Sequence, residues 1–166
     1  MTRLHTAYLT GSQLNVWDLL RKGLSQSEIA RRLGITRQSV NELAQTIPEK
    51  VTAALSDAAK LNGVDPKYID GVKGLLLGWS SEFRTETIII FNPKQGLRTW
   101  YYHDLGRCKI CDDKKACESR LRNTAKYLGV ELSREEKRME PQKLASLIFS
   151  RATGRTSPGP PSPLIP

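Results

Sequence analysis

The sequence predicts an α+β chain. An N-terminal helix-turn-helix helical domain comes first. A small antiparallel three-stranded sheet with a cysteine metal loop follows, and then C-terminal helices. Three observations carry this reading. Leu24 to Gln45, LSQSEIARRLGITRQSVNELAQ, has the caps and apolar period of two short helices meeting at a tight corner. From Val64 the pattern shifts to short runs rich in branched and aromatic residues. Cys108, Cys111 and Cys117 then fall in a C-x2-C-x5-C loop. The expected units are residues 1–62, residues 63–153, and a proline-rich tail at 154–166 with the composition of a disordered segment.

Met1 to Leu9 reads as an arm packed on the first domain. Thr10-x-x-Gln13 is a capping box opening a helix through Arg21, with Leu14, Trp17, Asp18 and Leu20–Arg21 as its stripe and Gly23 as its stop. Trp17 is a core residue on this reading. Ser25 with Glu28 is a second capping box, and Ile29, Ala30 and Leu33 share one helical face. Gly34 ends that helix, where a left-handed backbone is easiest for glycine. Ile35 is expected to fill the corner, and Thr36 to cap the next helix. Val40, Leu43 and Ala44 give that helix its buried face.

The outer face then carries Arg37, Gln38, Asn41, Glu42 and Gln45. These side chains suit base edges: arginine for guanine, glutamine and asparagine for adenine, glutamate for cytosine. Ser25, Gln26, Ser27 and Thr36 sit at helix starts, where hydroxyls, amides and free N–H groups hold phosphates.

Residues 9–55 resemble the DNA-binding domain of archaeal Tfx-type regulators, and more loosely that of LuxR-type regulators and sigma-factor region four. The shared residues are Leu9-Thr10-x-x-Gln13, Gly23-Leu24-Ser25-Gln26-x-Glu28-Ile29-Ala30 and Leu33-Gly34-Ile35-x-Arg37-x-x-Val40. The resemblance implies sequence-specific binding of double-stranded DNA through the major groove by the second helix. It implies nothing about the rest of the chain.

Pro48 is expected to break the recognition helix, with a new helix from Pro48 to Leu61. Val51, Ala54, Leu55, Ala58 and Leu61 line one side of it, and a homodimer contact is the favoured use of that face. Asp65-Pro66 reads as a turn. Lys73 to Ser80, Glu86 to Asn92 and Leu97 to His103 read as the three strands. Leu75, Leu77, Ile88, Ile90 and alternate aromatics of Thr99-Trp100-Tyr101-Tyr102 form the expected buried face. Beyond the cysteines a helix is expected from about Cys117 to Leu128. Ser133-x-x-Glu136 caps a further piece, and a last helix opens at Pro141 with Leu144, Leu147, Ile148 and Ala152.

Two thiolates three residues apart can meet one metal from a single turn, and the longer spacer brings a third edge. Lys109, Lys114, Lys115 and Arg107 surround them and are expected to favour the metal-binding thiolate. His103, five residues before Cys108, would complete a Cys3His set for Zn2+ or a [4Fe–4S] cluster. Asp104, Asp112 or Asp113 could serve instead, or one iron stays open. The spacing resembles the iron–sulfur loop of fumarate-and-nitrate-reduction-type oxygen sensors, and that of certain CRISPR-associated and helicase-linked nucleases. Both families add a distant fourth cysteine, which this chain lacks. The resemblance implies an iron–sulfur cluster ahead of structural zinc, and a centre that senses redox state, oxygen or iron.

The chain has 166 residues and a net charge of +9, with a pI near 9.7, which favours a polyanionic partner. No apolar run approaches the ~20 residues of a membrane span. Three clustered cysteines and the absence of a signal-type apolar run near the N-terminus give a cytoplasmic expectation. There is no Ser–His–Asp set, no phosphate loop and no paired acids beside a nucleophile, so the reading is not enzymatic and no small-molecule substrate is expected. The function expected is a DNA-binding transcription regulator carrying a metal centre. The rival is an RNA-binding or translation-linked module with a structural zinc site, using the aromatic and basic residues from Arg98 to Lys109 as a stacking platform.

Overall fold

A computed structural model describes residues 8–92, 95–102 and 108–154. The described residues fall into two compact units, divided between Tyr101 and Tyr102. The first begins with α1 (Gly11–Arg21), α2 (Gln26–Leu33) and α3 (Arg37–Leu61). It continues with β1 (Val64–Asp70), β2 (Leu75–Ser80), β3 (Thr85–Asn92) and β4 (Gly96–Tyr101), paired antiparallel in chain order. The boundary expected at residue 62 therefore runs between α3 and β1, inside the first unit. The arm up to Ala7 and the tail beyond Gly154 lie outside the described residues.

The expected three-stranded sheet is corrected to four strands. Asp65-Pro66 lies within β1 and is not a turn: Asp65 pairs with Trp79 and Pro66 with Gly78. Proline is tolerated there because β1 is an edge strand, where a missing N–H need not break a ladder. The register shifts between Pro66 and Tyr68, a bulge that absorbs the misfit. β1 is also largely exposed, so it carries little of the apolar alternation that marks a half-buried strand.

A second correction concerns α3. Pro48 lies inside one continuous helix of 25 residues. It has no N–H to give to the carbonyl of Ala44, at a cost of about 3 kcal/mol. The buried row Val40, Ile47, Val51, Ala54, Leu55 and Ala58 runs straight through it. At about 1.5–3 kcal/mol for each large buried side chain, continuing the row outweighs the proline. The helix that carries this row packs on α1, α2, β1, β2 and β3 of the same chain. The face expected to meet a dimer partner is thus covered within the unit, although Leu61 itself is 87% exposed.

The register places Leu76, Ile89, Phe91, Thr87 and Tyr101 on one face of the sheet. That face looks to the helices: Phe91 meets Trp17 edge-on at 5.3 Å, and the Tyr101 hydroxyl donates to Asn62 Oδ1 of the α3 cap at 3.4 Å. Leu75, Leu77, Ile88 and Ile90, expected as the buried face, lie on the other side; Leu75, Ile88 and Ile90 are buried too, and Leu77 is half-buried. β3 is buried over Thr87–Asn92 without alternation, the mark of a central strand covered on both faces.

Trp17 is fully buried. Its Nε1 donates to the carbonyl of Gly71 in the β1–β2 turn at 3.3 Å, and the Arg21 guanidinium lies 5.3 Å over its ring. Gly74, at φ +69°, lets Trp17 and the Phe91 carbonyl come close, where a Cβ would stand 2.9 Å and 2.8 Å from them.

The second unit holds α4 (Lys114–Tyr127) and α5 (Pro141–Thr153), which pack together. Leu121, Thr124 and Ala125 of α4 and Leu144, Ile148 and Phe149 of α5 are buried. α4 begins earlier than expected, so Cys117 falls in its first turn. Ser133 and Glu136 close on each other as expected: the Ser133 N–H donates to Glu136 Oε2 at 2.8 Å and the Glu136 N–H to Ser133 Oγ at 3.1 Å. Arg151 grips both Glu136 oxygens, at 2.6 and 3.1 Å, and donates to the Glu131 carbonyl. Among the described residues no helix is long and apolar enough to cross a membrane.

Two predictions follow from these contacts. Trp17→Ala should cost about 3–5 kcal/mol in urea unfolding, within a single transition followed by both helix and strand signals. Separate helix and strand transitions would contradict the shared core. The Arg151 hydrogen bonds, with those from Ser133, hold the Glu136 carboxyl at about 2, below its usual 4.5. A depressed carboxyl stabilises fully above its unfolded value and loses that effect as pH falls toward its folded value. The melting temperature of wild type should exceed that of Glu136→Gln near neutral pH, with the gap closing between about pH 5 and 2. A gap independent of pH would rule out the carboxylate as its source.

Candidate nucleic-acid interface

The corner between α2 and α3 is built by local chemistry. Ser25 Oγ accepts from the Glu28 N–H at 3.3 Å, and the Glu28 carboxylate accepts from the Ser25 N–H at 2.8 Å and its hydroxyl at 2.7 Å. These bonds hold the Glu28 carboxyl below the usual carboxylate range. The Ser25 hydroxyl, expected to hold a phosphate, is committed to this cap. Gly34 takes φ 65°, ψ 32° and turns the chain. Thr36 Oγ1 then accepts from the Ser39 N–H at 3.1 Å and starts α3. Ile29, Ala30 and Val40 close the inside of the corner. Ile35, expected to fill it, is 38% exposed because those three already do so.

The outer side chains stand where the helical period places them. Arg37, Gln38, Asn41, Glu42 and Gln45 are all exposed along α3, as are Ser27 and Thr36. Gln26 is half-buried, and its Nε2 donates to Asn41 Oδ1 at 3.2 Å, linking the start of α2 to the middle of the exposed face of α3. Gln38 Nε2 reaches Glu42 Oε1 at 3.4 Å. Arg31 and Arg32 in the last turn of α2 are exposed too. Sequence reasoning treated Gln26 and Asn41 as independent contacts and missed their pairing. They are 15 residues apart, and only the corner angle brings them together.

The cysteines are arranged less favourably. Cys108 begins a short 3-10 turn, Cys108–Ile110. Cys111 is exposed, Cys108 and Cys117 are half-buried, and all three are free thiols. Burial pushes the Cys117 thiol up, and negative charge on Cys108 adds to this. Arg120 pulls the other way; Cys111 and Glu118 raise it further. The expected bias toward thiolate is therefore reversed at Cys117, because burial outweighs the nearby cations. Three thiols suit a thiophilic metal by donor chemistry. Among the described residues, however, no three His, Cys, Asp or Glu side chains stand close enough to hold one. His103, Asp104 and Arg107 lie outside the described residues.

Two of the aromatics read as a stacking platform, Tyr101 and Tyr102, are engaged in packing. Tyr101 bonds to Asn62 and meets Phe83 edge-on at 4.7 Å, and Tyr102 meets Phe149 at 6.2 Å.

No protein-family model, characterised protein or solved structure matches this chain.

Iodoacetamide should alkylate exposed Cys111 well ahead of Cys117 near pH 7.5, with the difference narrowing as pH rises and the Cys117 thiol ionises. Peptide mass spectrometry over time reads the order. Equal rates at pH 7.5 would contradict the placement of Cys117.

Proposed function

We propose that the chain is a sequence-specific duplex-DNA-binding protein acting as a transcription regulator in the cytoplasm. The observation that carries this reading is the exposed row Arg37, Gln38, Asn41 and Gln45, presented by a helix anchored on its other side by buried Val40 and Ile47, with Leu43 and Ala44 half-buried. A helix so held can enter a major groove without losing its own packing, and these side chain types match base edges there. The net charge of +9 supports a polyanionic ligand and drives non-specific attraction to phosphate.

The RNA-platform reading has weaker support, since Tyr101 and Tyr102 are occupied by neighbours within the chain. A homodimer loses one of its supports, because Val51, Ala54, Leu55 and Ala58 are buried within the unit. No step of this proposal runs through a metal.

Selection from a random duplex library should enrich a defined sequence. Arg37→Ala should lower affinity for that sequence by about 1–3 kcal/mol and relax preference at one base position, with the fold retained. Fluorescence anisotropy on matched and mismatched duplexes measures both. No enriched sequence, or tighter binding to single-stranded RNA than to duplex at every salt concentration, would overturn the reading.

A further inference from the structure

α3 carries one continuous stripe made of Arg37, Asn41, Gln45, Pro48 and Thr52. The steps are four, four, three and four residues, which the helical period of about 3.6 keeps on one side. The first three positions are exposed. The last two are covered by the β1–β2 turn: a Cβ on Gly71 would run into the Pro48 carbonyl oxygen and come within 2.5 Å of Thr52 Oγ1. The turn thus sits in line with the DNA-reading row, about one to two helical turns beyond Gln45.

This turn is held from several directions. Asp70 Oδ1 accepts from the Val72 N–H at 3.0 Å and the Lys73 N–H at 2.8 Å. The Gly74 N–H donates to the Asp70 carbonyl at 2.8 Å, and the Gly74 carbonyl accepts from Phe91 at 2.9 Å. Trp17 fixes the Gly71 carbonyl. The Asp70 carboxylate is turned onto these amides and accepts from the Tyr68 hydroxyl on its other oxygen at 3.3 Å. Val72 and Lys73 are left exposed at the tip. Among the described residues no carboxylate pairs with the Lys73 amino group.

We infer that the tip Gly71–Gly74 is a second DNA contact, with Lys73 meeting a backbone phosphate beside the groove that α3 reads. This inference rests on the duplex-DNA reading above. The open part of the stripe, Arg37 to Gln45, is about 12 Å long, close to the width of the major groove, about 12 Å. A helix entering by its N-terminus brings its next turns level with the phosphate wall, and the tip lies there. Because the tip is already ordered, little conformational freedom is lost when Lys73 engages. A lysine on a phosphate positions the protein and carries no base preference.

The test uses the full chain and the selected duplex, with a scrambled duplex beside it, titrated across a range of KCl concentrations. Lys73→Gln should weaken both duplexes alike, on the order of threefold to tenfold at low salt, and flatten the log–log salt slope by about one. Lys73→Arg should keep the wild-type slope. Arg37→Ala serves as the control for the parent reading, since it should narrow the discrimination between the two duplexes. Unchanged affinity and slope in Lys73→Gln, with discrimination narrowed in Arg37→Ala, would overturn the inference and leave the parent reading standing. Unchanged discrimination in Arg37→Ala would overturn the parent reading and this inference with it.

Discussion

The burial of one indole organises the first unit. Trp17 is the point where α1, the β1–β2 turn and the central strand meet. Its ring packs on Phe91, its N–H is satisfied by the Gly71 carbonyl, and its face is covered by Arg21. A three-helix domain of this size has little core of its own. With a domain stability of about 5–15 kcal/mol, a single large aromatic is a substantial fraction of the whole. Two glycines make room for it: Gly71 lets the turn lie on α3, and Gly74 lets the indole approach the sheet.

The second constraint is that α3 does two jobs. Its N-terminal half presents the exposed row from Arg37 to Gln45, and its C-terminal half is the floor on which β1, β2 and β3 rest. The relation between reading face and sheet is then set by helix geometry, at about 1.5 Å and 100° per residue. Pro48 stands at the junction. Proline mid-helix usually ends or kinks the element, and here its neighbours on the buried row, Ile47 and Val51, are fully covered. The turn that passes over Pro48 is the same one that holds Lys73 and receives Trp17.

Local signals were legible in the sequence and long-range ones were not. The capping pairs Thr10–Gln13 and Ser25–Glu28, the left-handed Gly34 and the Thr36 cap each act within a few residues, so the corner and its exposed face could be read directly. The strand β1 could not. Its proline signals a turn in isolation, and only pairing with β2 and an edge position make it a strand. The same holds for α3, where tertiary burial overrides a local breaker. The inward face Leu76, Ile89 and Phe91 was hidden because a strand buried on both sides shows no alternation. For the cysteines, spacing states which sulfurs can reach a common point, whereas the burial that raises the Cys117 thiol is set by packing that spacing does not encode.

The central claim is that α3, the proposed DNA-reading helix, and the sheet form one cooperative body. Native-state hydrogen exchange, with and without the selected duplex, tests it most directly. Amides of α3 on both sides of Pro48 and those of β3 should open with one common free energy in the free protein. Saturating duplex should raise all of them by the same increment, the binding free energy expressed as added stability. If α2 and the first half of α3 open separately at lower free energy than β3, or if duplex leaves exchange unchanged, the account is contradicted.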